Sequence, residues 1–309
     1  MTRDFDAQGL EPDLLDWIES TSGGEIADCA RIAGGASRLS YILKLTAASP
    51  VQAVFLRRDS GTGGLSGTEF TLEREVNVMR ALGGTGVLAP KIYGYNATHR
   101  SVLMEVVPGE SNFFSVTEPP RAQAIEHDLL RQLALLHKAR IDLKAAFGAQ
   151  APTSIKAALQ HEVKLWGDLY RTHVPAPDPV LSFAFDWLRR AAPGGDAARV
   201  GENGDIGPGN FLFEGDRVRA LIDWEIAHAG HPLEDLACII ARTLGVPFGD
   251  LKQHVADYGA LTGAPVDYDE LDYCLVLVLV RFCVGISMGI AKGGVDVDIP
   301  MLVKFLQVN

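Results

Sequence analysis

Two polar segments stand on either side of a short predicted β-hairpin in the second half of the sequence. The segment NGDIGPGN (203–210) leads into the first strand, and DWE (223–225) follows the second. Because a hairpin brings its two ends together, we expect Asp205, Asn210 and Asp223 to converge at one end of it. The sequence therefore predicts two carboxylates and an amide oxygen at a single site.

Carboxylate and amide oxygens suit Mg²⁺, a hard cation that keeps several waters and takes only one or two protein carboxylates. Two acidic groups can also divide the work of phosphoryl transfer, one accepting the hydroxyl proton and the other holding the metal beside the phosphates. The simpler interpretation is that Asp205 caps a turn and Asp223 caps a helix, which either residue alone would favour. Their shared spacing favours phosphoryl transfer.

The first third of the chain has the pattern of a small antiparallel sheet. One amphipathic helix, 69–82, interrupts it, because apolar residues recur there at helical spacing. Short β-rich runs separated by turn residues predict the strands, at 40–45, 51–57, 91–95 and 101–107.

From residue 121 onward the pattern changes to long amphipathic helices, interrupted by the hairpin with strands at 210–213 and 218–222. The helices are predicted at 121–140, 154–171, 178–192, 233–244, 249–261 and 268–291. The sequence thus predicts an α+β protein, with a β-rich lobe at 1–107 and a helical lobe at 108–309.

Composition narrows the class of partners. Among 309 residues, 28 are Lys or Arg and 39 are Asp or Glu, for a formal net charge of -11. This balance argues against nucleic acid or an anionic membrane as a partner. The apolar stretch 273–290 is broken by Arg281, and we expect it to be a buried helix of the helical lobe rather than a membrane span.

The sequence carries few signals of cellular location. The N-terminal segment 1–20 carries acidic residues and no apolar run, so we expect no export signal in it. A cytoplasmic location follows as the expectation. The cysteines lack metal-ligand spacing and are expected to be buried reduced thiols, at Cys29, Cys238, Cys274 and Cys283.

The sequence resembles the aminoglycoside phosphotransferase family of small-molecule kinases, which share the protein-kinase-like two-lobe fold. The family pattern runs H-G-D-x-x-x-x-N, a hairpin, D, and then G-D-P-x-x-D-L-A. The matching segments here are NGDIGPGN (203–210), DWE (223–225) and GHPLEDLA (230–237). The resemblance extends over nearly the whole chain.

The resemblance implies roles for individual residues. Asp205 takes the position of the catalytic base, and Asn210 and Asp223 take the positions of the Mg²⁺ ligands. Asp235 takes the position of a residue that braces the catalytic loop. The residues of these segments also resemble the family branch associated with acyl-CoA dehydrogenases. That resemblance implies that the acceptor could be a hydroxylated acyl-CoA or another catabolic intermediate as readily as an antibiotic.

Two positions depart from the family pattern. Asn203 replaces the first histidine, and His231 replaces the aspartate of G-D-P. A histidine is lost at the first position and gained at the second, so the polarity of the pair looks exchanged. We therefore expect the two side chains to lie close together. They also keep open the alternative of a nucleotide-binding pseudokinase or regulatory module with lost or weak turnover. A third alternative, a phosphatase or hydrolase using the two aspartates, leaves the β-rich lobe unexplained.

Phosphate binding is expected at two places in the β-rich lobe. The glycine turn containing Gly35 and Ser37 allows close backbone approach and supplies donors, although an ordinary hairpin loop is the alternative. Arg57 ends a strand where the kinase fold carries a phosphate-binding lysine, and the resemblance implies that it pairs with a helix glutamate. Glu75 is the expected partner and Glu73 the alternative.

The end of the β-rich lobe resembles the hinge of the fold. There the backbone carbonyl of Glu105 and the backbone N–H of Val107 are expected to bind a purine edge, which leaves ATP and GTP both open as donors. The acceptor is expected to be a hydroxylated small molecule, and the oligomeric state is left open. His137 is expected to be structural, and the candidates for the acceptor wall are Trp166, Tyr170, Asp257, Tyr258 and Tyr273.

Overall fold

A computed structural model of the chain describes residues 6–32, 38–149, 151–194 and 199–291. The strands of the β-rich lobe are β1 (Ile26–Ile32), β2 (Arg38–Leu45), β3 (Ala53–Asp59), β4 (Ile92–Asn96) and β5 (Ser101–Glu105). They form one antiparallel sheet in the order β1-β2-β3-β5-β4. The four predicted strands are all present, with ends shifted by at most two residues.

The sequence pattern does not predict two elements of this lobe, the helix α1 (Pro12–Ser22) and the strand β1. The apolar residues Leu14, Leu15 and Ile18 of α1 are buried in a small core that they share with the sheet. β1 lies at the edge of the sheet and exposes pairs of consecutive residues, so it lacks the strict alternation that marks a half-buried strand.

The predicted helix within the β-rich lobe is α2 (Leu72–Ala81). Its N-terminus is capped by Thr71, whose side chain accepts a hydrogen bond from the backbone N of Arg74 at 3.2 Å. The helix packs near β4 and β5 and buries Glu75 together with its apolar residues. A buried glutamate requires a partner from the sheet.

Among the described residues, the helical lobe contains all six predicted helices, one further short α-helix and a 3-10 turn at Phe113–Ser115. α4, a single turn capped by the side chain of Asp142, is too short for a periodic signal. The helices are α3 (Pro119–Lys138), α4 (Leu143–Phe147), α5 (Ile155–His173), α6 (Pro179–Ala191), α7 (Leu233–Arg242), α8 (Leu251–Thr262) and α9 (Tyr268–Ala291).

Within the described ranges, α9 is the one helix long and apolar enough to cross a membrane by length and composition, with a mean hydropathy of 2.4. It packs one face against α5, α6 and α7, and 39% of its most apolar window is buried, so the expected burial is only partial. Arg281 is 2% exposed within it, and its Nη2 donates to the backbone O of Gly204 at 2.7 Å. The opposite face leaves Ile286 and Ile290 exposed.

Two short antiparallel ladders hold the polar segments. The predicted hairpin consists of β7 (Phe211–Glu214) and β8 (Arg217–Leu221). The second ladder, β6 (Val200–Glu202) with β9 (His228–Gly230), is not predicted, because strands of three residues carry no measurable period. The first polar segment leaves β6 and enters β7, and the second leaves β8 and enters β9.

The cysteines follow the expectation with one exception. Cys29, Cys238 and Cys274 are buried free thiols, but Cys283 is exposed. The expectation that all four are buried is therefore wrong for Cys283. α9 packs through one face only, so that Cys283 points outward while its neighbour Val284 is fully buried.

Candidate active site

The loop between β6 and β7 folds Asn210 back onto Asp205. Asn210 Nδ2 donates to the backbone O and to Oδ2 of Asp205, both at 2.7 Å. The backbone N of Asn210 donates to Gly207 O at 2.9 Å. Because the amide nitrogen is used in this way, Asn210 Oδ1 is the side-chain atom that could bind a cation.

Asp223 lies beside this pair because the hairpin closes there. The backbone N of Ile222 donates to Asn210 O at 3.0 Å. Asn203 Nδ2 donates to the backbone oxygens of Ile222 at 3.2 Å and Asp223 at 3.4 Å. Asp223 has a φ of 58°, in the left-handed region that few non-glycine residues adopt. The predicted convergence of Asp205, Asn210 and Asp223 is therefore seen, and their roles stay predictions.

Arg57 of β3 joins the β-rich lobe to the DWE segment. Its Nη1 donates to Glu75 Oε1 at 2.9 Å, so Glu75 rather than Glu73 is its helix partner. Its Nη2 donates to Asp223 Oδ1 at 2.9 Å and to Glu225 Oε2 at 3.4 Å. The bonds to Asp223 and Glu225 are not apparent from the sequence, because they link positions on different lobes.

Three carboxylates share the guanidinium of Arg57, so this cluster carries an excess of negative charge. Glu75 is 2% exposed, and burial raises its pKa to about 7 although Arg57 opposes the shift. Its Oε2 has no hydrogen-bond partner among the residues that the structure describes. The side chain of Asp223 is 34% exposed and gives the cluster access to solvent.

Arg242, the last residue of α7, forms an ion pair with Asp205 that sequence reasoning missed. Its Nη2 lies 2.5 Å from Asp205 Oδ2, and its Nη1 donates to Pro208 O at 3.1 Å. A Cβ atom on Gly207 would lie 2.7 Å from Arg242 Cδ, so the glycine makes room for the arginine. The glycine-rich loop was the only sequence signal of this contact.

Burial and the neighbouring Arg242 shift the pKa of Asp205 in opposite directions. Burial raises the pKa of Asp205 above its ordinary value, Arg242 opposes this, and the charge of Asp223 adds to the rise. Oδ2 is occupied by Asn210 and Arg242. Oδ1 lies 3.9 Å from Cys238 Sγ, a weak donor, and so keeps acceptor capacity.

Asp235 contacts the catalytic loop in the way that the resemblance implies. Its carboxylate accepts hydrogen bonds from the backbone N of Asn203 at 3.0 Å and of Gly204 at 2.8 Å. His137 Nε2 lies 3.2 Å from Asp235 Oδ2, and His137 Nδ1 lies 2.7 Å from the hydroxyl of Tyr258. Both ring nitrogens thus have partners, and the interpretation of His137 as structural is confirmed.

The expected contact between Asn203 and His231 is not formed. His231 Nε2 lies 3.2 Å from Glu270 Oε2, and its Nδ1 accepts from the backbone N of Leu233 at 3.1 Å. Asn203 instead bonds to the backbone after β8. The register of β6 against β9 places the two residues at opposite ends of the ladder, on the order of 10 Å apart. That expectation is wrong, and each replacement is satisfied locally.

Of the other predicted nucleotide-binding positions, Glu105 and Val107 lie at and just after the end of β5, and the remaining two lie outside the described ranges. Glu105 ends β5, where its backbone N donates to Lys91 O at 2.8 Å. Val107 follows in a half-buried segment without regular structure. Purine binding there and the lobe boundary between 107 and 108 stay predictions. Gly35 and Ser37 lie outside the described residues.

Most of the proposed acceptor wall is protein core. Trp166, Tyr170, Tyr258 and Tyr273 are each at most 4% exposed. Each uses its polar atom in a hydrogen bond within the fold. Asp257 accepts from Gln253 Nε2 at 2.7 Å on the surface of α8. Helical spacing of these aromatic residues therefore reflects packing rather than a substrate wall.

Comparisons with known proteins identify the family of the chain. A family model described as the phosphotransferase enzyme family matches residues 28–273. The chain is 27% identical over 217 residues to acyl-CoA dehydrogenase family member 10 of Mus musculus, covering 66% of the chain and 19% of that protein. It is 30% identical over 196 residues to acyl-CoA dehydrogenase family member 11 of Rattus norvegicus, covering 60% and 25%. The chain thus spans a quarter or less of the length of these two relatives.

Solved structures share the whole architecture at low sequence identity. A chain assigned as an aminoglycoside phosphotransferase from Ralstonia eutropha superimposes with a TM-score of 0.71 at 20% identity, covering 95% of this chain and 93% of that one. The choline kinase of Streptococcus pneumoniae gives 0.67 at 17%, covering 96% and 95%. An aminoglycoside phosphotransferase in complex with ADP and hygromycin B gives 0.63 at 14%, covering 96% and 99%.

These structural likenesses show a protein-kinase-like fold, with the antiparallel sheet in one lobe and the helices in the other. The family model covers both lobes and includes the Asp205, Asn210 and Asp223 site. With that match, the chain belongs to the phosphotransferase enzyme family.

Proposed function

We propose that the chain transfers the γ-phosphoryl group of ATP or GTP to a hydroxyl group of a small molecule, with Mg²⁺ as cofactor. The observation that carries this proposal is a continuous set of contacts, from Glu75 through Arg57 to Asp223, beside the Asn210–Asp205 pair. Phosphoryl transfer depends mainly on positioning and charge neutralisation, and this arrangement supplies groups for both.

The donor set fits Mg²⁺. Asn210 Oδ1 and the carboxylate of Asp223 are hard oxygen ligands, and the carboxylates around Arg57 outnumber its single positive charge. When bound, the ion would neutralise charge on the phosphate oxygens. The partial exposure of Asp223 leaves it accessible to an ion that arrives with the nucleotide.

Arg57 and Asp205 have separate tasks in this proposal. Arg57 is held by Glu75 and can turn its second nitrogen from Asp223 to a phosphate oxygen, which its planar guanidinium suits. Asp205 accepts the proton of the acceptor hydroxyl through Oδ1, while Arg242 and Asn210 hold Oδ2. The ionised carboxylate is the form that can accept this proton.

The acceptor class is the least constrained part of the proposal. Among the structural relatives, one is named a choline kinase and another is bound to hygromycin B. The curated relatives are named acyl-CoA dehydrogenase family members. We therefore propose a hydroxylated small molecule and expect hydroxylated acyl compounds and amino alcohols to be the first acceptors worth screening.

The direct test is calorimetric titration of the purified chain with ATP and with GTP, each with and without Mg²⁺. We expect Mg²⁺-dependent binding of at least one nucleotide, followed by acceptor-dependent release of its diphosphate. Binding with no turnover over the acceptor screen would favour the nucleotide-binding module instead. No binding of either nucleotide, with folded protein and in the presence of acceptors, would contradict both.

A further inference from the structure

Three ligand-type side chains converge behind the loop 203–210, the predicted catalytic loop. Glu202 ends β6 and pairs across the ladder with His228 of β9, while Glu234 lies in the first turn of α7. His228 Nε2 lies 3.2 Å from Glu234 Oε2 and 3.9 Å from Glu202 Oε2. One donor atom from each residue lies within 4.8 Å of the other two. All three side chains are at most 3% exposed.

Glu202 is the exceptional member of this group. It is fully buried, and neither of its carboxylate oxygens has a hydrogen-bond partner in the part of the chain that the structure describes. Buried carboxylates in folded proteins are normally hydrogen-bonded or paired, because an unsatisfied one has lost its water without replacement. A ligand between Glu202 and His228 would satisfy it.

The tautomer of His228 leads to the same conclusion. Its Nδ1 lies 3.0 Å from the backbone O of Ile226, which can only accept, so Nδ1 carries a hydrogen. In the neutral imidazole, the lone pair of Nε2 then points toward Glu234 and Glu202. Metal-binding histidines typically have this arrangement, with the second nitrogen donating to a backbone carbonyl. Without a proton or a cation between them, the lone pair and the carboxylates would repel.

The charges around the group leave room for one divalent cation. Arg281 Nη1 lies 3.7 Å from Glu234 Oε2 and 3.9 Å from Glu162 Oε2. With neutral His228, the three carboxylates of Glu162, Glu202 and Glu234 outnumber the guanidinium by two charges. Two protons or one divalent cation would balance them. The alternative to the cation is one proton on Glu202 and one on His228 Nε2, which would then donate to Glu234 Oε2 at 3.2 Å.

We propose that Glu202, His228 and Glu234 form a binding site for a first-row divalent cation, with Zn²⁺ the ion that fits best. One imidazole nitrogen and two carboxylates are a mixed ligand set that suits Zn²⁺ better than Mg²⁺, which prefers oxygen ligands alone. Binding would cross-link β6, β9 and α7. It would therefore stiffen the segment that leads into Asp205 without entering the phosphoryl-transfer site.

The surroundings leave space for the two carboxylates and place a cavity beside His228. A Cβ atom on Gly230 would lie 2.7 Å from Glu202 Oε1 and 2.9 Å from Glu234 Oε1, so only glycine leaves both carboxylates their positions. A cavity of about 370 Å³ is lined by His228 and Glu162 and by residues of α2, α4 and α5. Water from this cavity could take the fourth position of a tetrahedral site.

The test uses tag-free protein stripped with a chelator and titrated with Zn²⁺ at pH 7. We expect one Zn²⁺ per chain and release of protons on binding, measured by calorimetry in buffers of different ionisation enthalpy. The isosteric variant Glu202→Gln and His228→Gln should each bind at least tenfold more weakly. Matched controls are His161→Gln, a histidine of the same cavity, and Glu126→Gln, another buried glutamate beside a histidine; both should bind as the wild type does.

A further variant separates this site from the proposed Mg²⁺ site. Asp223→Asn removes a ligand of the latter and should leave the tight Zn²⁺ site unchanged. Loss of Zn²⁺ binding in Asp223→Asn with retention in Glu202→Gln would place the ion in the phosphoryl-transfer site and overturn the proposal. Equal affinity of wild type and Glu202→Gln, or binding without proton release by the wild type, would also overturn it. Circular dichroism of the stripped variants checks that they are folded. The proton-release measurement uses only the wild type, so it does not depend on how the variants fold.

Discussion

The guanidinium of Arg242 lies 2.5 Å from the carboxylate of Asp205, and this ion pair ties the end of α7 to the predicted catalytic loop. The two side chains are 22% and 24% exposed, so water screens the pair only in part. Arg242 favours the ionised form of Asp205 against the effect of burial. A base that works near neutral pH needs such a neighbour, since the protonated carboxyl cannot accept a proton.

Replacing Arg242 should therefore change the pH dependence of the reaction. In Arg242→Gln the pKa of Asp205 rises, because the cation that opposed burial is gone, so the acidic limb of the kcat/KM profile should move to higher pH. We expect kcat at pH 7 to fall about tenfold, equivalent to about 1.4 kcal/mol. Arg242→Lys should restore part of the profile. The surface variant Arg189→Gln is the control, and an unmoved limb in Arg242→Gln would refute this coupling.

Removal of the proposed base, Asp205, should separate binding from chemistry. Asp205→Asn keeps the shape of the side chain but cannot take the hydroxyl proton, so we expect kcat to fall by about 10²–10⁴-fold. Nucleotide affinity, measured by calorimetry with Mg²⁺, should change little, because Arg57 and Asp223 are untouched. The exposed hairpin residue Asp216 provides the control Asp216→Asn. Turnover of Asp205→Asn at the wild-type rate would exclude it as the base.

The local parts of this site could be predicted from the sequence. A hairpin is encoded within a dozen residues, so the convergence of Asp205, Asn210 and Asp223 follows from turn residues and strand period alone. The pairing of Arg57 with Glu75 required the resemblance to the kinase fold, because it joins a strand to a helix. The long helices were predicted within a few residues because their apolar period is sustained over many turns.

The remaining parts depend on contacts that no local pattern encodes. The β6–β9 ladder has three residues per strand, too few for a period, yet it decides where Asn203 and His231 lie. The expectation that Asn203 and His231 compensate each other was wrong. Asn203 bonds to the backbone and His231 contacts Glu270, so each has a separate partner. The ion pair of Arg242 with Asp205 likewise depends on how α7 docks.

The pKa of Glu75 predicts a pH dependence of folding. Its value is about 7 in the folded chain against 4.5 for the ordinary group, so the folded state holds the proton more tightly. The resulting stabilisation is fully present below pH 4.5 and is lost as the pH rises through 7, on the order of 3 kcal/mol in total. Urea unfolding at pH 5 and pH 8 should show a smaller change in Glu75→Gln than in wild type. The exposed Glu118→Gln is the control, and equal changes in all three proteins would contradict the assignment.

Two glycines of the catalytic loop offer a matched pair for testing how Arg242 is positioned. Gly207 and Gly209 both have positive φ, 140° and 96°, so alanine at either position should cost about 1–3 kcal/mol of backbone strain. Only at Gly207 would the new Cβ atom meet the side chain of Arg242, at 2.7 Å from Cδ, whereas nothing lies within 4 Å at Gly209. Gly207→Ala should therefore displace the guanidinium from Asp205 and reproduce the shifted pH profile of Arg242→Gln. Gly209→Ala should lose stability, measured by urea unfolding, but keep the wild-type profile. If both alanine variants shift the profile equally, loop strain rather than the position of Arg242 controls the base.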